Sequence, residues 1–367
     1  MTTVPTSLRR SRASSDPPPS PAQLNAAASV LWRAADVVQI ELGSRSIVVE
    51  NVHSEHVSAL LSNRGARARS AAETTAPVAA LRNKLDELGF LTPGPEADWT
   101  ATAPPVPAYL GSDLAALSTQ FGGDASAVLH ARREAAVAVH GTSRLATSVA
   151  ATMAAAGIGW VQLVHGGDVR AADACPGGLA PADEGRRFGI AAVDAIRRAA
   201  PDVDTTPIPA DRVADLVVLT DPAPVDSTVR SSLHLDSAAH LVARVEGNRG
   251  VIGPLVLPGV TSCLRCADLH RTDRDPAWPA MAVQLAGKPR HRAASDVALC
   301  VAAAGVTASQ ALAYLDRQQP ATIEGTLEWH LPDWRLRRRS WSVHHRCDCG
   351  ATAGRSATRQ NDLVIVS

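Results

Sequence analysis

Lysine is nearly missing from this chain: of 36 basic residues only Lys84 and Lys288 are lysines, so a mechanism that needs a lysine ammonium has two candidates. Acidic residues also number 36, and a net charge of zero supplies no long-range field for nucleic acid or for an anionic membrane surface. Long apolar runs are absent too. Even 146–159 is a short stretch of small residues, suited to a buried helix and below the roughly twenty apolar residues of a membrane span. Residues 1–23 carry arginines but no apolar segment behind them, which argues against a secretory signal and reads as a disordered tail. Aromatic residues are scarce at 3%, yet Trp329, Trp334 and Trp341 cluster near the C-terminus. Six cysteines in 367 residues with no export signal point to the cytoplasm, where clustered thiols serve metal binding more often than disulfides.

Hydrophobic residues at 46% and charged residues at 20% are ordinary for a globular chain, and the length allows two domains. The expected organisation is a tail over 1–24, a small winged-helix-like domain over 25–92, a linker over 93–110 with five prolines between Pro93 and Pro107, a larger domain over 111–350, and a C-terminal tail over 351–367. In the first domain Val37 to Leu42 and Ser46 to Glu50 alternate apolar and polar residues around Gly43-Ser44, the signature of a β-hairpin. Helical patterns follow around Glu55 to Ser62 and over Pro77 to Leu88. From Ala135 the pattern becomes strand, helix, strand: Ala135 to His140, a turn at Gly141 opening a helix to about Ala156, then Trp160 to Val164. Further strands read at Asp215 to Thr220, His240 to Val245 and Gly250 to Leu257. The expected fold is α/β, a Rossmann-like, doubly wound and mostly parallel sheet. Ile323 to Leu331 and Trp334 to Val343 read as a C-terminal two-stranded ribbon with Arg335, Arg337 and Arg339 on one face.

Two constellations carry chemistry. Cys263-x-x-Cys266 and Cys347-x-Cys349 offer four thiolates in two tight pairs, the donor set of a closed, structural Zn²⁺ site. Such a zinc would clamp the C-terminal ribbon to the sheet domain and would not catalyse. A redox pair at Cys263 and Cys266 and four unrelated buried cysteines are the competing readings. His270, His344 and His345 lie nearby as outer-shell or exposed residues, and Cys175 and Cys300 read as small hydrophobes. The second constellation is the turn after the first strand of the larger domain, the place of a phosphate-cradling loop. Its G-x-G-x-x-G pattern has become Gly141-x-Ser143-x-x-Ala146. Either the loop still meets a nucleotide or the scaffold has lost that ligand.

The order of these features, with AAAGIGWVQLVHGGDV, PGGLAPADEGR, DLVVLTD ending at Asp221, PLVLPGVTSCLRCADLHRTDRDP and the final CDC, resembles the ThiF/MoeB superfamily of ubiquitin-activating-like adenylyltransferases over about 28–350. It is more closely similar to an actinobacterial branch associated with thiazole/oxazole-modified peptides (TOMM), whose members bind a precursor leader peptide as partners of YcaO cyclodehydratases. The resemblance implies a nucleotide site at Gly141, Ser143, Arg144, Asp168, Arg186 and Asp221, with ATP and Mg²⁺ as its ligands and Asp221 as the catalytic aspartate of an active member. Here the ribose-holding position falls on His165, or on Asp168 if a residue is inserted. Pro176 to Leu179 replaces the Asn/Arg/Gln motif, and the expected lysine falls on Arg187 or Phe188. The resemblance also implies an extended leader peptide added as a strand at the hairpin, with Val38, Ile40, Ile47 and Val49 divided between core and peptide pockets. A purely structural or dimerising hairpin is the alternative.

The expectation is a zinc-containing, ThiF-like protein that binds a precursor peptide and presents it to a YcaO-type enzyme, with a degenerate nucleotide site; the resemblance also implies a superfamily whose members often form a homodimer through the sheet domain. The competing reading is an ATP-dependent adenylyltransferase that activates a carboxyl terminus. A DNA-binding wing is disfavoured by the zero net charge.

Overall fold

The structure is a computed structural model that describes residues 23–25, 27–54, 76–92, 106–121, 125–141, 143–164, 166–221, 224–286 and 295–351. The N-terminal tail, the helical pattern around Glu55 to Ser62, most of the linker, His165, Lys288 and the C-terminal tail lie outside them. The chain forms two compact units, Met1–Ala127 and Val128–Ser367.

In the first unit, strands β1 (Gln23–Leu24), β2 (Ser29–Ala34), β3 (Val37–Leu42) and β4 (Arg45–Glu50) precede helix α1 (Ala76–Glu87), strand β5 (Leu91–Thr92) and helix α2 (Gly111–Phe121). The alternation seen in the sequence becomes the hairpin β3–β4, and β2 adds to it, giving the order β2-β3-β4. Gly43 takes φ +61° at the first central position of the two-residue turn, as a type II′ hairpin requires. The apolar face of the sheet meets Leu81 and Leu85 of α1 and Phe90, with Val38, Ile40 and Leu42 buried among them. The segment 111–127, expected to open the second domain, instead belongs to this unit. Asn25 donates to the Ala115 carbonyl and Arg45 to that of Thr119, both at 3.4 Å. A proline-rich composition marks where the chain is extended, and that need not be where contacts divide.

The second unit begins within α3 (Ser126–Glu134). It continues through β6 (Ala136–His140), α4 (Arg144–Ala155), β7 (Trp160–Val164), α5 (Phe188–Ala199), β8 (Leu216–Leu219), α6 (Ser227–Leu235), β9 (His240–Glu246) and β10 (Arg249–Val256). Helices α7 (Leu264–Arg274), α8 (Trp278–Ala286) and α9 (Val297–Leu315) and strands β11 (Gly325–His330) and β12 (Arg337–Ser340) complete it. One seven-stranded sheet has the order β12-β11-β10-β9-β8-β6-β7. The expectation of a mostly parallel sheet is corrected: β7, β6, β8 and β9 pair in parallel, but β10, β11 and β12 pair antiparallel. The cause is local. The chain reverses at Gly247-Asn248, and so short a connection can join only antiparallel neighbours. The C-terminal ribbon is therefore not separate; it extends the same sheet to its edge.

The parallel half explains its own sequence. Strands β6 and β8 are covered on both faces, and their runs of valine, alanine and leucine are buried almost throughout. Helix α4 lies on the sheet with Leu145, Val149 and Met153 fully inside, each burial worth about 1.5–3 kcal/mol. Helix α9 is apolar and long enough to cross a membrane by length and composition. Its Leu299, Ala303, Ala304, Ala308 and Ala311 are buried in the core of this unit.

Candidate functional site

The parallel strands set up the crevice. From β6 the chain passes to β7 on one side and then to β8 on the other, so the carboxyl ends of β6 and β8 flank a topological switch point, where open α/β sheets place ligands. Gly141 follows β6 and Thr220-Asp221 follows β8. Gly141 has φ +142°, and a Cβ built there would stand 2.1 Å from Thr220 Oγ1 and 3.1 Å from Asp221 Oδ1, so no larger residue fits. Thr220 Oγ1 donates to the His140 carbonyl at 3.0 Å, and Ser143 Oγ donates to the Thr220 carbonyl at 3.2 Å. Gly141, Ser143 and Asp221 are thus brought to one place. His140 joins them. Burial pushes its imidazole below its usual range, opposed by the Asp221 carboxylate.

The arginines of this region are engaged within the chain. Arg144, at the start of α4, donates through Nε to the Ala172 carbonyl at 3.1 Å and through Nη1 to that of Ser295 at 3.2 Å. Arg186 is held between Asp183 at 2.6 Å and Asp194 at 2.5 Å, and the Asp194 hydrogen bond leads in pushing the guanidinium still higher. Asp168 sits beside Arg187, 3.6 Å away, with both side chains exposed. The segment that replaces the Asn/Arg/Gln motif rests on α4, where Ser148 Oγ donates to the Pro176 carbonyl. Lys84 lies on α1 of the other unit and pairs with Glu87.

The four paired cysteines converge at the start of α7. Sulfur separations are 3.8 Å for Cys263–Cys266, 3.6 Å for Cys263–Cys347 and 3.8 Å for Cys266–Cys349. Four thiolates at about 2.3 Å from a tetrahedral ion stand about 3.8 Å apart, so the donor set and spacing fit such an ion. The pair Cys263/Cys266 opens α7, and the second pair follows β12. A hydrogen bond from Cys263 pulls the Cys266 thiol down, and the same pairing, reinforced by burial, pushes Cys263 up. His344, read from sequence only as a neighbour, is buried and braces this knuckle. Its Nε2 bonds Asp273 at 2.7 Å, its Nδ1 accepts from the Arg346 backbone, and its carbonyl accepts from Cys347 N at 2.9 Å. Arg346 also pairs with Asp273, and Arg265 with Asp348. Sequence spacing could have suggested Asp273 only through the Asp-rich run after Cys266. Cys175 and Cys300 are buried, and burial raises both thiols, Cys300 to about 11, as expected of inert hydrophobes.

On the hairpin, Val38 and Ile40 are 1% and 2% exposed and lie in the unit's core, with Ile47 and Val49 packed against it. Strand β3 is paired on both sides, so Gln39 is not an edge position; the edges are β2 and β4. A proline at Gln39, which would be informative at an edge, would here break a central ladder.

No family model matches this chain, and no curated protein does. Solved structures do. E. coli MccB in complex with MccA and AMPCPP superposes over 90% of this chain and 99% of its own at 13% identity and a TM-score of 0.63. The microcin C7 biosynthetic enzyme MccB with N-formylated MccA gives the same coverage, identity and score. PaaA covers 86% of this chain and 98% of itself at 15% identity and a TM-score of 0.61. The chain has the α/β fold of these proteins, and its second unit is preceded in sequence by an N-terminal unit.

Proposed function

We propose that the chain is a ThiF-like protein of modified-peptide biosynthesis that captures a precursor leader peptide and presents it to a YcaO-type cyclodehydratase. It works in the cytoplasm, as a homodimer, with a nucleotide site too degenerate for efficient adenylation. The observation that carries the second half is the state of Arg144 and Arg186, whose donors meet the chain's own carbonyls and carboxylates, while Arg187 stands in an exposed ion pair with Asp168. An adenylyltransferase works by positioning and by neutralising the transferring phosphate. With those cations engaged and no lysine among the described residues of the second unit, little is left to neutralise it. The peptide half is supported by the fold shared with MccB, solved with its precursor peptide MccA. It is also supported by the first unit, whose three-stranded sheet has two edges and packs on a helix, elements that a winged-helix-like peptide-recognition module over 25–92 would use. In that module the apolar face formed by Val38, Ile40, Ile47 and Val49 serves as the packed support for a peptide added at an edge strand.

In this reading Cys263, Cys266, Cys347 and Cys349 hold one structural Zn²⁺. The ion closes the loop between α7 and the strand-end after β12, and its four thiolates leave no position for water. The arrangement of Gly141, Thr220 and Asp221 at the switch point favours a second reading, an ATP-dependent adenylyltransferase of carboxyl termini, since MccB has also been solved with ATP. Calorimetric titration with Mg-ATP decides between them. The first reading expects no binding tighter than the high micromolar range. Low-micromolar binding that Asp221→Ala abolishes establishes the second.

A further inference from the structure

Strand β12 is an edge strand made almost entirely of arginine: Arg337, Arg338, Arg339 and Ser340, all exposed. Trp341 N donates to the Glu324 carbonyl at 2.8 Å, and Arg339 lies opposite Thr326 and Arg337 opposite Glu328. Antiparallel alternation therefore turns the backbone groups of Arg337 and Arg339 toward β11 and those of Arg338 and Ser340 outward. Among the described residues no strand pairs with that outer edge. The side chains divide the other way. Arg338 folds back, donating to the carbonyls of Ala321 and Ile323 and to Ser340 Oγ. Arg337 and Arg339 share the opposite face about 6.8 Å apart, the spacing of alternate residues in a strand. Among the described residues Arg337 pairs with Asp333, at 3.9 Å with both groups exposed, and Arg339 lies over the Trp341 ring at 4.8 Å. Glu328, the nearest acid on β11, is taken by Arg249 at 2.6 Å.

We infer that the outer edge of β12 is a docking strand for an extended acidic segment of a partner polypeptide. The segment adds antiparallel to Arg338 and Ser340 and sets acidic side chains at alternate positions against Arg337 and Arg339. Charge complementarity selects this occupant. A second copy of the chain pairing through the same edge would set arginine against arginine, which cross-strand repulsion opposes. Arginines on an edge also discourage uncontrolled sheet growth, so the surface admits only a partner that neutralises them. The inference goes beyond the leader-peptide site proposed on the first unit and does not depend on it.

The test is fluorescence anisotropy of the full chain with a short labelled peptide that alternates glutamate and valine. Binding is expected, with a loss of about tenfold or more in the Arg337→Glu/Arg339→Glu variant, since two cross-strand charge pairs are removed and repulsion replaces them. That variant should instead gain affinity for the lysine–valine counterpart. Arg337→Glu alone, which leaves the Trp341 contact intact, should show part of the loss with an unchanged melting temperature. Methylating the valine amides should abolish binding, because those N–H groups face the Arg338 and Ser340 carbonyls. No binding of the glutamate–valine peptide, no effect of charge reversal, or equal binding of the methylated peptide would each overturn the inference. So would tighter binding of a single-stranded oligothymidylate that the same reversal abolishes, which would assign the arginines to nucleic acid.

Discussion

Cys263 and Cys347, separated by 84 positions in the chain, hold their sulfurs 3.6 Å apart. That closure joins the start of α7 to the segment after β12, and Cys266 and Cys349 repeat it beside them at 3.8 Å. Four thiols this close repel as thiolates, so a cation is the natural partner of the cluster.

The purified chain should carry one zinc ion. Zinc binding is coupled to folding, so Cys347→Ser should lower stability by more than about 4 kcal/mol, in the range that marks loss of a metal site. Metal analysis and thiol titration of the native protein check this. Zinc-free protein with four freely reactive thiols in the folded state would exclude the site.

Arg132 and Asp316 form a buried ion pair in the second unit. The guanidinium meets the carboxylate at 2.8 and 2.6 Å and also donates to the Ala156 carbonyl, with side-chain exposures of 6% and 5%. Asp316→Ala leaves a buried cation unpaired and should cost about 3–5 kcal/mol in urea unfolding. A leucine at both positions should recover much of that, because the desolvation cost disappears with both charges.

The two depressed histidines make stability depend on pH. His240 Nδ1–H donates to the Ala238 carbonyl at 2.9 Å, its Nε2 is buried without a partner, and burial leads in pushing its pKa below 6.5. Burial does the same to His140. Both groups bind protons more readily in the unfolded chain. Their contribution is therefore complete above about pH 6.5 and is lost as pH falls through that value toward the folded-state pKa. Melting temperature should drop between about pH 7 and 5, and His240→Leu should flatten that slope. An unchanged slope in the variant would assign the dependence elsewhere.

Much of this was legible before the structure. Gly43-Ser44 between alternating strands gave the hairpin its place, and the valine-rich β6 and β8 announced strands covered on both faces. The cysteine pairs stood out because two tight spacings rarely arise by chance. What stayed hidden depended on how strands pair and on contacts between distant residues. Nothing local in β9 or β10 distinguishes a parallel from an antiparallel neighbour; only the short reversal at Gly247-Asn248 does. Likewise, the expected two-stranded hairpin would leave both of its strands at an edge, and it is the pairing with β2 that makes Gln39 a central position. The engagement of Arg144 with the Ser295 carbonyl joins residues 151 positions apart, beyond the reach of any motif.

Peptide capture at an edge of the first unit gives a sharper variant than Gln39. In the β3–β4 ladder the pairs Leu42–Arg45, Ile40–Ile47 and Val38–Val49 alternate with pairs whose backbone groups face out, which places Val48 N–H on the free side of β4. Val48→Pro should remove that donor while leaving Val38, Ile40 and Ile47 packed. A weaker complex with an unchanged melting temperature is expected; an unchanged affinity would move the peptide to β2.

The central claim is tested most directly by anisotropy of a labelled candidate precursor leader peptide, titrated with the full chain in the presence and absence of Mg-ATP. The account expects saturable binding whose affinity is the same in both conditions. Absence of binding, or binding that appears only with Mg-ATP and vanishes in Asp221→Ala, would contradict it.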